Sequence, residues 1–412
     1  MVQLQTRSFP CALPALLLAA CGSSGAGSDA GGHDASSAAK HDSASGSASD
    51  AGRGEKLPDS GSSSSSNASS QSTSSSGSST SAALTASSGS MTTSGSTAGS
   101  TSSTGIFPTT PVITELSLLG VAPNILAFGS DGNLWFTSEA VRAIFKFTPA
   151  GALTTYSAGL GANAAPWGIT AGPDGNLWFT DERPPCAIGK ITTEGVVVEY
   201  STGLNPGALP VYIAPGPDGN LWFSDQGTTP AIGKISMSGV ITEYSAGLFL
   251  ASSRPLGITA GPDGNVWFAD LDNRVGKVTP AGVIVEYGTG LNAGASPSAI
   301  TLGSDGNLWF TDEGSTHAIG KATPLGVITE YSVGLATGAH PYGIAAGPDG
   351  NLWFTDQARP PAIGRITTSA GITESAGGLD AAESSPAWII AGADGKLWFA
   401  DPGPGTLGFI AP

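Results

Sequence analysis

The sequence predicts an all-β fold, a seven-bladed β-propeller with four-stranded blades over residues 106–412. Three observations carry this. A short apolar element built on Trp-Phe recurs, with its indole at Trp135, Trp178, Trp222, Trp267, Trp309, Trp353 and Trp398, at spacings of 42 to 45 residues. An Asp-Gly turn precedes it every time, from Asp131-Gly132 to Asp394-Gly395. Each period also holds four strand-like pieces, and a period near 44 with four short strands is the signature of a propeller blade.

The elements follow one another in a fixed order. Gly-Ile-Thr-Ala-Gly reads as the innermost strand, and Asp-Gly-Asn as a tight turn that needs φ > 0. Leu-Trp-Phe-Thr-Asp is the second strand, Ala-Ile-Gly-Lys-Ile-Thr the third and Val-Ile-Thr-Glu-Tyr the fourth. Side-chain alternation puts Leu and Phe on one face of the second strand and Trp on the other, as a sheet covered on both sides requires. The seven Trp residues are therefore expected to pack between blades. A fourth-strand element appears at Val112-Ile113-Thr114-Glu115 before any complete blade, and the last repeat stops after Leu407-Gly408-Phe409-Ile410. Residues 112–118 are thus expected to pair with the C-terminal strands, closing the ring and leaving no exposed sheet edge.

Composition narrows the class further. Among 412 residues, 32 Asp+Glu stand against 16 Lys+Arg, a formal charge of −16, and only 12% of residues are charged. Such an acidic chain is not expected to bind nucleic acid, because phosphate binding runs on clustered cations. No apolar run reaches the ~18 residues of a spanning helix. Sixty Gly and 29 Pro without a three-residue period exclude collagen.

The N-terminus reads as an address. Arg7 precedes a short apolar run from Cys11 to Ala20, which ends in Leu18-Ala19-Ala20-Cys21-Gly22. This resembles a bacterial lipoprotein signal: residues 1–20 as signal peptide, Cys21 as the lipidated residue. Residues 22–105 form a Ser/Gly-rich stretch that cannot bury enough apolar surface to order itself, so a disordered linker is expected. The chain reads as an exported lipoprotein of the cell envelope, on the outer membrane or cell surface, touching the membrane only through its anchor. A monomer is expected. Cys186, the one Cys outside this leader, is given no role.

Loop variation selects a functional face. The Asp-Gly-Asn and third-to-fourth turns are uniform and lie on one side of the ring. The second-to-third loops and the inter-blade connections vary and lie on the other, and variable loops on a rigid scaffold are where binding is usually found. Just before or within the innermost strand stand Trp167, Val211, Leu256, Ser298, Tyr342 and Ala387. Trp167, Tyr212, Tyr342 and Trp388 are candidate aromatic platforms for an unknown small molecule, glycan or peptide. Six repeats end the second strand in Asp: Asp181, Asp225, Asp270, Asp312, Asp356 and Asp401, with Ser138 in the first and Glu139, Glu182 and Glu313 one residue later. These carboxylates are candidates to bind a cation or basic ligand, or to cap their own loops through backbone N–H groups. A second series, Glu199, Glu243, Glu286, Glu330 and Glu374, is expected on a solvated outer face.

The blade motif, with Ala-Ile-Gly-Lys-Ile-Thr and Val-Ile-Thr-Glu-Tyr behind it, resembles the streptogramin B lyase (virginiamycin B lyase) family across all of residues 106–412. That resemblance implies a carbon–oxygen lyase that opens a cyclic depsipeptide by elimination. A general base removes the proton α to the ester carbonyl while Mg²⁺ stabilises the enolate. The family's His residues for this step occupy the x of Pro-x-Gly-Ile in late blades. Here those positions hold Tyr342 and Ala387, and the repeats contain only His317 and His340. The main expectation is therefore a propeller that binds without catalysis, because fold does not imply function. The alternative is a Mg-dependent lyase with a relocated base, with His340 as candidate base and Asp356 and Asp401 as candidate metal ligands.

Overall fold

Strands form where branched and aromatic residues alternate, and they stop at Gly, Pro and Asp. In the second repeat this gives Pro166–Ala171, Leu177–Asp181, Ala187–Ile191 and Val197–Tyr200, in the order innermost to outermost. The computed structural model describes residues 112–249 and 253–412. The signal peptide, Cys21 and the linker lie outside these residues. Seven four-stranded antiparallel sheets are present, and in six of them the strands are consecutive in the chain.

The seventh sheet is built from both chain ends. Ile113–Ser117 pairs with Thr406–Ile410 in the register Ile113↔Ile410 to Ser117↔Thr406. This is the expected closure. It leaves Ile113 and Leu118 buried.

Each Asp-Gly turn places its Gly in the left-handed region, with Gly219 at φ 76° and Gly264 at φ 74° as examples. The turn Asp then gains a second role. In the third blade Asp218 Oδ1 accepts the Trp222 indole N–H at 2.9 Å. The Lys234 ammonium lies 5.1 Å from the Trp222 ring centroid and 3.7 Å from Asp218 Oδ2. Tyr244 stacks on the same indole at 5.9 Å. An aromatic ring with a satisfied polar edge and a cation over its face is thus locked by residues of its own blade.

The Trp residues pack between blades. Trp178 joins Ile213, Leu221 and Phe223 of the next blade in one core cluster, and Trp353 joins Leu397 and Phe399 of its own next blade. Trp135, Trp178, Trp222, Trp267 and Trp309 have 0% exposure. Burying a large side chain is worth roughly 1.5–3 kcal/mol relative to leaving it exposed, so the repeated indole is a principal source of blade–blade cohesion.

Candidate functional site

The innermost strands of the second to sixth blades begin with Pro-x, followed by Gly in the second, fourth and sixth, and the pairing register shifts there, as between Pro210 and Ile213. A second-strand hydroxyl holds the segment that follows in the next blade. Thr137 Oγ donates to the Trp167 carbonyl at 2.5 Å, Thr180 to Val211 at 2.6 Å, Ser224 to Leu256 at 2.7 Å and Thr311 to Tyr342 at 2.6 Å. These straps fix the x residues around the channel mouth. The sequence shows their signal, a hydroxyl directly before the second-strand Asp, although its partner lies one blade away.

Two repeats replace the Gly of Pro-x-Gly by a large aromatic residue. A Cβ on Gly168 or Gly343 would run into the backbone carbonyl of Val211 or Ala387 in the neighbouring blade, which explains the Gly in those repeats. Tyr212 and Trp388 stand at the equivalent positions, in the third and seventh blades. Their rings stack at 4.7 Å. Blades three and seven are not adjacent, so this contact crosses the central channel and closes it. Below it, toward the uniform turns, lies a cavity of about 300 Å³ lined mainly by apolar residues such as Ile125, Ile169, Ile258 and Ile390.

Around the stack lie polar groups from other blades. Burial raises the Tyr212 phenol well above its ordinary range, and Tyr342 and Glu313 beside it act in the same direction. The buried indole N–H of Trp167 lies beside that phenol without a full hydrogen bond. Burial pushes the Glu313 carboxyl up to about 7, against a hydrogen bond from Ser298, and its Oε1 is buried without a partner. Glu182 is pushed to about 8 by burial and by Glu139 and Asp181. At the rim the Arg183 guanidinium pairs with Glu139 at 2.7 Å. The structure thus brings Trp167, Tyr212, Tyr342, Trp388 and Glu313 together from five blades.

The two His residues meet elsewhere on this face. His317 and His340 have ring centroids 4.9 Å apart with perpendicular planes. His317 also lines a small cavity of about 190 Å³ with Ser332, Leu335, Ala336, Gly338 and Ala339. Burial and His317 hold the His340 imidazole below its ordinary pKa, with Asp356 acting in the opposite direction.

The six Asp residues are buried, and each uses Oδ1 on its own connection or loop. Asp181 accepts from Ala165 and Arg183 N–H, Asp225 from Leu209 and Gly227, and Asp270 from Arg254 and Asp272. Asp312 accepts from Ser296 and Gly314, Asp356 from His340 and Ala358, and Asp401 from Ser385. Asp356 and Asp401 as placed thus do not fit the Mg²⁺ ligand role expected from the resemblance. One oxygen of each is held by backbone donors, the other is buried against a second carboxyl, and no group of three metal-ligating side chains occurs among the described residues.

The outer Glu series requires a correction. Glu199, Glu243, Glu286, Glu330 and Glu374 are half-buried rather than solvated. Each folds back toward the second-strand Asp of its own blade, and four accept a backbone N–H from the incoming connection: Glu243 from Asn205 at 2.5 Å, Glu374 from Ala336 at 2.7 Å, Glu286 from Phe249 and Glu330 from Asn292. The third-strand Gly between them, such as Gly233, has no Cβ and takes the second-strand Phe ring over it. Strand alternation alone assigns these Glu residues to a face; it does not show that they reach the Asp and the incoming connection on that face.

The Virginiamycin B lyase family model matches residues 91–312 and 289–412. Among solved structures, virginiamycin B lyase from Staphylococcus aureus is 31% identical, with a TM-score of 0.66, over 73% of this chain and 99% of that one. A catalytically inactive His-to-Ala variant of virginiamycin B lyase from the same organism, solved with quinupristin, is 32% identical with the same TM-score and coverage. An extracellular domain of a hybrid two component system from B. thetaiotaomicron shares the fold at 15% identity, TM-score 0.56, over 73% of this chain and 42% of that one. Among curated proteins nothing matches.

Proposed function

The chain belongs to the virginiamycin B lyase family, and from that premise we propose that it is a cell-envelope binding propeller that recognises a small molecule, glycan or peptide through its variable-loop face without catalysis. An exported lipoprotein anchored at Cys21 would carry that face outward on its linker. The observation that supports this reading is the aromatic cluster at the channel mouth. Trp167 and Tyr342 are partly exposed beside the closed Tyr212–Trp388 stack, with the Glu313 carboxyl among them. Flat π faces beside a hydrogen-bonding carboxyl suit sugar rings and peptide side chains.

Family membership favours a second reading, elimination at an ester. For that reading we assign the base to Glu313 in place of the sequence-expected His340: its buried Oε1 has no partner beside Tyr212, and burial pushes its carboxyl up to about 7. Asp356 and Asp401, each held by backbone N–H groups, do not fit a metal role in it.

One experiment separates the two. The full chain is incubated with quinupristin while indole fluorescence and chromatographic retention are followed together. Elimination leaves mass unchanged, so retention is the readout for conversion. A fluorescence change without conversion supports binding, and Trp167→Ala or Tyr342→Ala is then expected to weaken it about tenfold, roughly the loss of one good aromatic contact. Conversion that disappears in Glu313→Gln supports the lyase. Absence of both rejects this ligand class for either reading.

A further inference from the structure

Three positions change together among the repeats. Six blades carry Asp at the end of the second strand, Gly in the third and Glu in the outer strand: Asp225, Gly233 and Glu243, for example, or Asp401, Gly408 and Glu115 in the closing blade. The first blade has none of them. It carries Ser138, Phe145 and Thr155 at the same register positions. There the Phe145 ring stacks on Phe136 at 5.0 Å, whereas elsewhere the second-strand Phe ring lies directly over the Gly. Residues that are lost as a set act as a set.

The hydrogen bonds show what the set does in the third, fourth and fifth blades. Asp225 Oδ1 accepts Leu209 and Gly227 N–H at 2.5 and 2.7 Å, while Glu243 accepts Asn205 N–H through Oε2 at 2.5 Å. Asp270 Oδ1 accepts Arg254 and Asp272 N–H, both at 2.9 Å, and Glu286 accepts Phe249 N–H. Asp312 Oδ1 accepts Ser296 and Gly314 N–H at 2.6 and 2.8 Å, and Glu330 accepts Asn292 N–H. In every case one Asp oxygen and one Glu oxygen remain: Asp225, Asp270 and Asp312 Oδ2, and Glu243, Glu286 and Glu330 Oε1. All six are buried and have no donor, and the two carboxyls of each blade lie against each other. The Asp side chains come from residues with 0% exposure.

Two ionised oxygens held together out of water repel. A proton between them converts the repulsion into a charge-assisted hydrogen bond. We propose that the Asp225–Glu243, Asp270–Glu286 and Asp312–Glu330 pairs each hold one shared proton, and that this proton latches the incoming inter-blade connection on the variable face. Six of the N–H groups the pairs accept, on Asn205, Leu209, Phe249, Arg254, Asn292 and Ser296, belong to connections that lead into the Pro-x start of an innermost strand. The latch therefore fixes the segments that present the x residues, whatever ligand that face takes.

Other groups bear on the pairs. Cys186 of the second blade faces Asp225; Asp272 and Arg274 face the fourth-blade pair with opposite effects; Glu313 adjoins Asp312. Burial and the Asp partner push Glu243 to about 8, and burial first also pushes Glu286 and Glu330 to about 7. Because these folded values lie above that of the unfolded chain, the stabilisation is complete below about pH 4.5 and is lost as pH rises through 7 to 8.

The test uses the full chain. Infrared difference spectra between pH 6 and pH 9 are expected to show loss of protonated-carboxyl absorption in the native protein. That loss should fall stepwise in Glu243→Gln and in the triple variant Glu243→Gln/Glu286→Gln/Glu330→Gln, whose amides donate to Asp Oδ2 at any pH. Hydrogen exchange in peptides covering 203–209 and 290–296 is expected to quicken about tenfold over this range, beyond the intrinsic pH effect, in the native protein but not in the triple variant. First-blade peptides, which lack the pair, should not respond. Protonated-carboxyl loss unchanged by Glu243→Gln, or connection exchange with the same pH response in native and folded triple variant, overturns the proposal. If the triple variant does not fold, the infrared spectra of the native chain and Glu243→Gln alone decide.

Discussion

Gly233 shows how much one missing methyl group carries. Phe223 and Glu243 flank it in register, and a Cβ there would collide with the Phe223 ring, as it would at Gly189 against Phe179 and at Gly320 against Phe310. Gly233→Ala forces that ring off its seat, so a loss of about 1–3 kcal/mol is expected from overpacking. Chemical denaturation of the variant measures it, and a change under 0.5 kcal/mol would contradict the packing argument. The same scale holds the clearest gap between sequence and structure. The repeat pattern exposes Asp225 and Glu243 as two periodic acids on alternate strands, and from it the Glu appears solvated. Their meeting depends on strand twist and on the neighbouring connection, neither of which is written in local spacing.

At the scale of the element, the strand Ile113–Ser117 differs from every other outer strand in arriving from the opposite end of the chain. It covers the edge of Thr406–Ile410 and brings Glu115 to Thr406, whose hydroxyl donates to Glu115 Oε1 at 2.9 Å. Removing residues 1–118 uncovers a full strand edge and the Ile113 and Leu118 contacts. Removing only residues 1–111 leaves the ring intact. The longer truncation is expected to aggregate on size-exclusion chromatography and to melt well below the shorter one, because an open apolar edge templates pairing with another chain. Equal melting temperatures for the two would show that ring closure adds little. This element was legible from the sequence, since an orphan fourth-strand motif at one end matched a missing one at the other.

For the whole molecule, two sets of carboxyls set opposite pH limits. The turn residues Asp174, Asp218, Asp263, Asp305 and Asp349 lie below the ordinary range despite partial burial, because Asn, Trp and cationic neighbours donate to them, and Asp263 reaches about 2. Their folded values are depressed, so their stabilisation is present above about pH 4 and is lost as pH falls through the folded pKa. The Asp–Glu pairs act in the other direction, losing stability as pH rises through 7 to 8. Thermal melts are therefore expected to peak in mildly acidic solution and decline on both sides. Asp263→Asn should flatten the acid side alone, and Glu243→Gln the alkaline side alone. A profile rising steadily to pH 9 would contradict the buried pairs. The pH response of the ring is then a sum over repeats of the same local device.

The sequence by itself determined the seven blades, their strand order, the turns and the closure, since each follows from a pattern within about 45 residues repeated along the chain. It also showed which face varies. Only the tertiary structure decided what that variation assembles: Tyr212 and Trp388 stacked across the channel from non-adjacent blades, Glu313 buried beside Tyr212, His317 against His340 apart from them, and acids paired in place of a solvated face. The physical reason is range. Strand alternation and turn chemistry act between neighbours in sequence, whereas these contacts exist only after the ring has closed and brought separate repeats around one axis.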